Sequence, residues 1–113
     1  MQLVESITVE ELRAMAEERY GDFVKAVADV ERELLVLDAD LHADEEQYLL
    51  ERGSRQQDLW GFNLYPDDFG TDDFIEFDSL INIRPRQDNR SRSVEDPELQ
   101  DLIREIVRNA IHD

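Results

Sequence analysis

Two groups of residues in this chain are equipped for chemistry. The first is Arg84-Pro85-Arg86-Gln87-Asp88-Asn89-Arg90-Ser91-Arg92, which gathers four arginines and one aspartate in a chain of net charge −17. Guanidinium forks match carboxylate and phosphate oxygens, so Arg84, Arg86, Arg90 and Arg92 are candidates for anion binding or a protein contact. The second is Asp40-Leu41-His42-Ala43-Asp44-Glu45-Glu46, which sets one of only two histidines among acids. His42 with Asp44, Glu45 and Asp78 could hold a cation, and a metal-dependent hydrolase or nuclease would follow. The spacing lacks the paired histidines of a zinc-protease helix, and 29 acids in 113 residues make such groupings commonplace. The favoured reading of His42 is a residue near a helix start with solvated acids around it, so no metal is assigned. His112, next to the last residue, is expected to fray.

The serines at 54, 79, 91 and 93 have no nucleophile-elbow motif. The chain has no glycine-rich phosphate loop and no dinucleotide fingerprint. No catalytic residue and no cofactor are assigned, and whether the protein is an enzyme stays open.

Three readings of the arginine segment compete. As an anion site it would sit between a strand and a helix N-terminus, a common place for phosphate. Glu95, Asp96 and Glu98 crowd that helix start, however, and the segment has no glycine to close round an anion. As a structural loop it would pair its arginines with Glu76, Asp78 or the acidic helix starts. As a contact surface it would meet the acidic body of a second copy or another protein, helped by neighbouring apolar residues. Nucleic acid is not the favoured partner, since four arginines on so acidic a body neutralise few phosphates, and salt weakens such binding steeply.

Composition bounds the rest. The length fits one domain, residues 1–113. Cysteine is absent, which excludes disulfides and thiol nucleophiles. The N-terminal sequence has no basic-then-apolar signal pattern, and Leu34–Leu37 is the longest aliphatic run, so a cytoplasmic protein is expected, with no membrane partner. Fifteen aspartates and fourteen glutamates face eleven arginines and a single lysine, Lys25. The acids decorate every segment, the pattern of a halophile whose surface is adapted to molar salt.

The elements that must position these residues read as αββαββα. Thr8-Val9-Glu10-Glu11 is a capping box that opens helix one, and Gly21 closes it. Residues 23–30 and 33–39 alternate as a hairpin about Glu31-Arg32. Asp44–Arg52 is a short helix ended by Gly53. Residues 58–65 and 74–84 form a second hairpin about the turn-rich stretch 66–73. In that hairpin Leu64 faces Ile75 and Phe62 faces Phe77. Trp60, Phe62, Leu64, Ile75, Phe77 and Ile81 share the core face. Leu59, Asn63, Tyr65, Glu76, Asp78 and Leu80 face outward. Asp96-Pro97 starts the last helix, whose stripe is Leu99, Leu102, Ile103, Ile106, Val107 and Ala110. The expected fold is α+β, a four-stranded, mainly antiparallel sheet with helices packed on one face. The expected working surface is the arginine loop with Asn63 and Tyr65 on the outer sheet face, used for a homodimer or another protein partner.

Four strings carry a resemblance: LHADEE at 41–46, DLWGFNLYP at 58–66, IEFDSLINIRPRQDNRSR at 75–92 and VEDPE at 94–98. They are similar to a family of small prokaryotic proteins known only as a domain of unknown function. The resemblance implies a compact fold shared along most of the chain, and no activity, ligand or catalytic residue. It also implies that Asp88 and Ser93 stand where glycine is usual. The halophile reading makes its own prediction. Lowering salt below about 0.5 M lengthens the range of acid–acid repulsion, so far-ultraviolet circular dichroism should show loss of structure, and an unchanged spectrum at low salt would count against it.

Overall fold

A computed structural model describes residues 1–113. Its elements are β1 (Gln2–Val4), β2 (Ile7–Thr8), α1 (Val9–Arg19), β3 (Val24–Asp29), β4 (Leu34–Leu37), α2 (His42–Leu50), β5 (Leu59–Leu64), β6 (Ile75–Glu76), α3 (Pro97–Ala110) and β7 (Ile111–His112). The class is α+β. Helix α1 starts as its sequence dictates: Thr8 accepts from the Glu11 N–H, and Glu11 reaches back to the Thr8 N–H. Gly21, at φ +94°, supplies the left-handed turn after it. Helix α3 starts at Pro97 with the Asp96 carboxylate accepting from the Glu98 N–H at 2.9 Å.

The main sheet has five strands in the order β1-β4-β3-β5-β6, all antiparallel neighbours. Strand β3 is central, and its six residues pair with β5 from Val24↔Leu64 to Asp29↔Leu59. Strands β1 and β3 are therefore parallel with β4 between them, joined through α1. Strands β4 and β5 are likewise parallel with β3 between them, joined through α2. Parallel crossovers are right-handed. Both connections step the same way across the sheet but start from strands running in opposite directions. One hand for both then puts α1 and α2 on opposite faces.

The core is divided accordingly. On the first face α1 and α3 bring Leu12, Ala16, Ile103 and Val107 against Ala26, Ala28, Trp60, Phe62 and Leu64. On the second face Leu49 of α2 meets Val27, Val36 and Leu59. The expectation of helices on one face is thus corrected, as is the count of four strands. Leu59 does not face outward but is fully buried under α2, and Ile81 packs on the α2 side rather than in the main core. Helix α2 begins at His42, two residues early, with no side-chain cap at Leu41. Leu102 lies off the buried stripe of α3 and is exposed. His112 does not fray, since Thr8 pairs with it in a small parallel ladder between β2 and β7. Trp60, Phe62 and Leu64 face the core, and Leu64 sits opposite Ile75.

The long fourth strand is the largest correction. Pairing with β5 stops after Glu76, and the chain turns through short 3-10 segments at Leu80–Asn82 and Pro85–Gln87. Phe62 and Phe77 remain neighbours, their rings 6.4 Å apart, without a ladder between them. The Asn82 side chain takes over the ladder's work. Its Oδ1 accepts from the Gly61 N–H at 2.9 Å, and its Nδ2 donates to the Gly61 carbonyl at 2.9 Å and the Arg92 carbonyl at 3.0 Å. Gly61 is required beside it, because a Cβ there would stand 2.7 Å from Ser79 Oγ. Each buried backbone group left unpaired costs about 1–3 kcal/mol. Asn82→Ala should therefore lower unfolding stability by about 2–4 kcal/mol, read from the denaturant midpoint in high salt. A loss under about 0.5 kcal/mol would show that water replaces the amide.

Candidate functional site

Register fixes the floor of a cleft on the second face. Lys25 pairs with Asn63, and Asn63 with Glu76, so the three form one row across β3, β5 and β6. Directly opposed residues on antiparallel strands hold their Cβ atoms about 5 Å apart. His42, the first residue of α2, closes one side, while Asp78, Leu80 and Arg92 close the other. The open volume is about 530 Å³, with Phe23 and Tyr65 at one end. Leu80 is 68 % exposed and Leu41 55 % exposed, so the lip is apolar.

The polar atoms are arranged by partners that can only accept. His42 Nε2 lies 2.8 Å from the Phe62 carbonyl. A carbonyl has no proton to give, so Nε2 carries the hydrogen. Burial pushes the imidazole below its ordinary value, and the neutral ring then presents a bare lone pair at Nδ1. Asn63 is 6 % exposed. Its Nδ2 donates to Glu76 Oε1 at 2.9 Å, and that carboxylate fixes which way the amide points. Its Oδ1 is left buried without a partner. Tyr65 Oη lies 3.1 Å from the same Glu76 oxygen. Burial first, then this hydrogen bond, pushes the phenol up to about 12, so Tyr65 stays a donor. Arg92 Nε donates to Asp78 Oδ1 at 2.6 Å across the cleft wall.

Of the residues singled out in the sequence, the cleft brings together His42, Asn63, Tyr65, Asp78 and Arg92. It does not gather the rest. Asp44 is exposed on α2, and Glu45 is enclosed beneath it. No three histidine, aspartate or glutamate side chains stand close enough to hold a metal ion. Arg84 is a structural residue: its guanidinium stacks 4.0 Å from the Trp60 ring centre and donates to the Gln56 and Leu59 carbonyls. Arg86 and Arg90 project into solvent with no ion pair.

The loop itself is built on a residue that charge-reading overlooked. Asn89 is buried. Its Nδ2 donates to the Asn82, Ser91 and Ser93 carbonyls, and its Oδ1 accepts from the Glu95 N–H at 2.8 Å. Asp88 takes the left-handed conformation at φ +59°, a position that glycine would fill more easily. The available signal was the spacing of two asparagines inside a turn-rich stretch, since asparagine amides substitute for backbone partners in turns.

A family model for Protein of unknown function (DUF5674) matches residues 2–110. The chain belongs to that family. No curated protein and no solved structure matches it. The family match spans β1 through α3, so both crossovers and every residue of the cleft lie within it. No helix is long and apolar enough to cross a membrane.

Glu45, at the start of α2 and 0 % exposed, has no hydrogen-bond partner on either oxygen. Burial raises its carboxyl well above the usual range, with the Ala39 backbone and Lys25 only partly opposing. A raised folded-state value stabilises fully below the unfolded value of about 4.3. That contribution is lost as pH rises through the folded value, by at most about 1.4 kcal/mol per unit. Glu45→Gln should remove this slope, so the variant gains on the wild type in denaturation midpoint between acid and neutral pH. Parallel curves for the two proteins would show that the carboxylate is solvated.

Proposed function

We propose that this chain is a protein-interaction module that self-associates through the cleft and the arginine loop beside it. One observation carries the reading: exposed cations without ion pairs and an acceptor-lined cleft with an apolar lip are joined on one stretch of chain. Arg86 and Arg90 belong to the loop that ends in Arg92, and Arg92 itself lines the cleft. A two-fold axis brings the same patch of each copy against the other. Adjacent donor and acceptor patches then satisfy each other twice. Leu41 and Leu80 add apolar surface where the copies meet, and arginine is among the residues favoured at such centres. The acidic remainder of the surface suits a protein working in concentrated salt, where repulsion between two such bodies is screened.

The competing reading, a metal-dependent hydrolase or nuclease, has His42, Glu76 and Asp78 in one cleft, but no three such side chains stand close enough together to hold a metal ion. The dimer is tested by sedimentation equilibrium in molar potassium chloride. Wild type should show a monomer–dimer equilibrium. Arg86→Ala with Arg90→Ala, and separately Leu80→Asp, should each raise the dissociation constant about tenfold or more, roughly 1.4 kcal/mol. A wild type that stays monomeric at millimolar concentration overturns the reading.

A further inference from the structure

The floor of the cleft also says what kind of group it accepts, and this rests on the interaction reading above. Two acceptors there are fixed and unfilled. Asn63 Oδ1 is aimed away from Glu76 because the amide nitrogen is held by that carboxylate, and the oxygen is buried without a hydrogen-bond partner. His42 Nδ1 presents its lone pair because Nε2 is committed to the Phe62 carbonyl. Both residues line the same cleft, and the Asn63 amide stands beside the imidazole. Leaving a buried acceptor unpaired costs about 1–3 kcal/mol, so a ligand that supplies N–H groups here recovers that loss.

The charges around the floor choose among donors. Glu76 uses Oε1 for Asn63 and Tyr65, and Asp78 uses Oδ1 for Arg92. Each keeps a second oxygen for a cation. The two cations of the cleft are already occupied, Arg92 by Asp78 and Lys25 over the Tyr20 ring at 5.3 Å. A planar group with several N–H donors and a positive charge fits this set, and guanidinium presents five such donors in a rigid fork.

We infer that the cleft is a guanidinium pocket, taking an arginine side chain from the loop of a second copy between His42 Nδ1 and Asn63 Oδ1. Arg86 and Arg90 are the loop arginines free to enter. Hydrogen bonds to two neutral acceptors, one of them enclosed, persist in molar salt, where the screening length falls to about 3 Å and exposed charge pairs weaken. The site is thus suited to the solvent that the acidic surface implies.

The test uses N-acetylarginine methylamide as a soluble probe, titrated into the Arg86→Ala/Arg90→Ala double variant in molar potassium chloride. Nitrogen-15 spectra should show saturable shifts of the His42 ring nitrogens and the Asn63 side-chain amide. Nδ1 should move in the direction of an accepted hydrogen bond. N-acetylglutamate methylamide should leave both unmoved. Asn63→Leu should weaken the arginine probe at least tenfold. If that variant does not fold, Glu76→Ala frees the amide to turn and should weaken it likewise. Shifts with the glutamate probe instead, or arginine binding untouched by both variants, would overturn the guanidinium assignment. If wild type dimerises by sedimentation while the arginine probe leaves His42 and Asn63 unmoved, this inference fails and the dimer stands. If wild type is monomeric but the probe binds as described, the pocket stands with free arginine or another protein's arginine as its source.

Discussion

Asn82 gives Gly61 the two hydrogen bonds that a neighbouring strand would give it, and does so from a 3-10 turn. The substitution is geometric. A primary amide carries one acceptor and two donors, so it can close against a backbone N–H and C=O together and still hold the Arg92 carbonyl. Because the edge of β5 is satisfied without a strand, the chain after Glu76 is released from extended pairing. It rises off the sheet, crosses at Ser79 against the bare Cα of Gly61, and carries Asp78 to one wall of the cleft. The Ser79 N–H bonds to the Arg92 carbonyl, which ties the far end of the arginine loop to the same wall. Loss of this single amide would unfasten both.

The second determinant is the divided helical cover. Had α2 lain beside α1, the second face would carry water over Lys25, Asn63 and Glu76, and the row would be an ordinary solvated surface. With α2 on that face, His42 and Leu41 overhang the row and turn it into a cleft. The hydrophobic seal is small: Val27, Val36, Leu49 and Leu59 form its buried part, flanked by Tyr48 and Ile81. The enclosed Glu45 stands at the start of the same helix. A carboxyl there works against the seal whenever it is ionised.

How far the sequence discloses this architecture depends on the range of each interaction. Local signals read correctly: the Thr8 capping box, the Asp96-Pro97 start of α3, and the alternation of Trp60, Phe62 and Leu64 toward the core. Interactions between distant segments did not. Three residues, Gln2–Val4, become a strand only because β4 offers an edge more than thirty positions later. The continuous run Leu34–Leu37 did contain the missing clue to helices on both faces, since strands buried on both sides lose their alternation. Five residues of the cleft were legible as polar or titratable groups near turns. Lys25 was visible as the lone lysine, but its place in the row is set by the β3–β5 register. Arg84 was read with the other loop arginines as open to an anion, an acidic side chain or a partner; its contacts with the Trp60 ring and backbone carbonyls depend on segments far along the chain.

The polar interactions of the molecule fall into two kinds that salt treats differently. Exposed pairs such as Arg13–Asp67 and Arg104–Asp101 are worth little in any solvent and less in concentrated electrolyte. The enclosed amides of Asn63, Asn82 and Asn89 are neutral, so screening ions do not reach their hydrogen bonds, and low local polarity strengthens them. Asn82 and Asn89 have both their oxygen and their nitrogen hydrogen-bonded, and they shape the wall and the loop. Of these three amides, only Asn63 has an oxygen without a partner. A fold that satisfies its other buried amides so fully leaves this one open against the general rule that buried polar atoms find partners. Its position beside an imidazole with a free lone pair, under two exposed leucines, is where an incoming donor would be worth most.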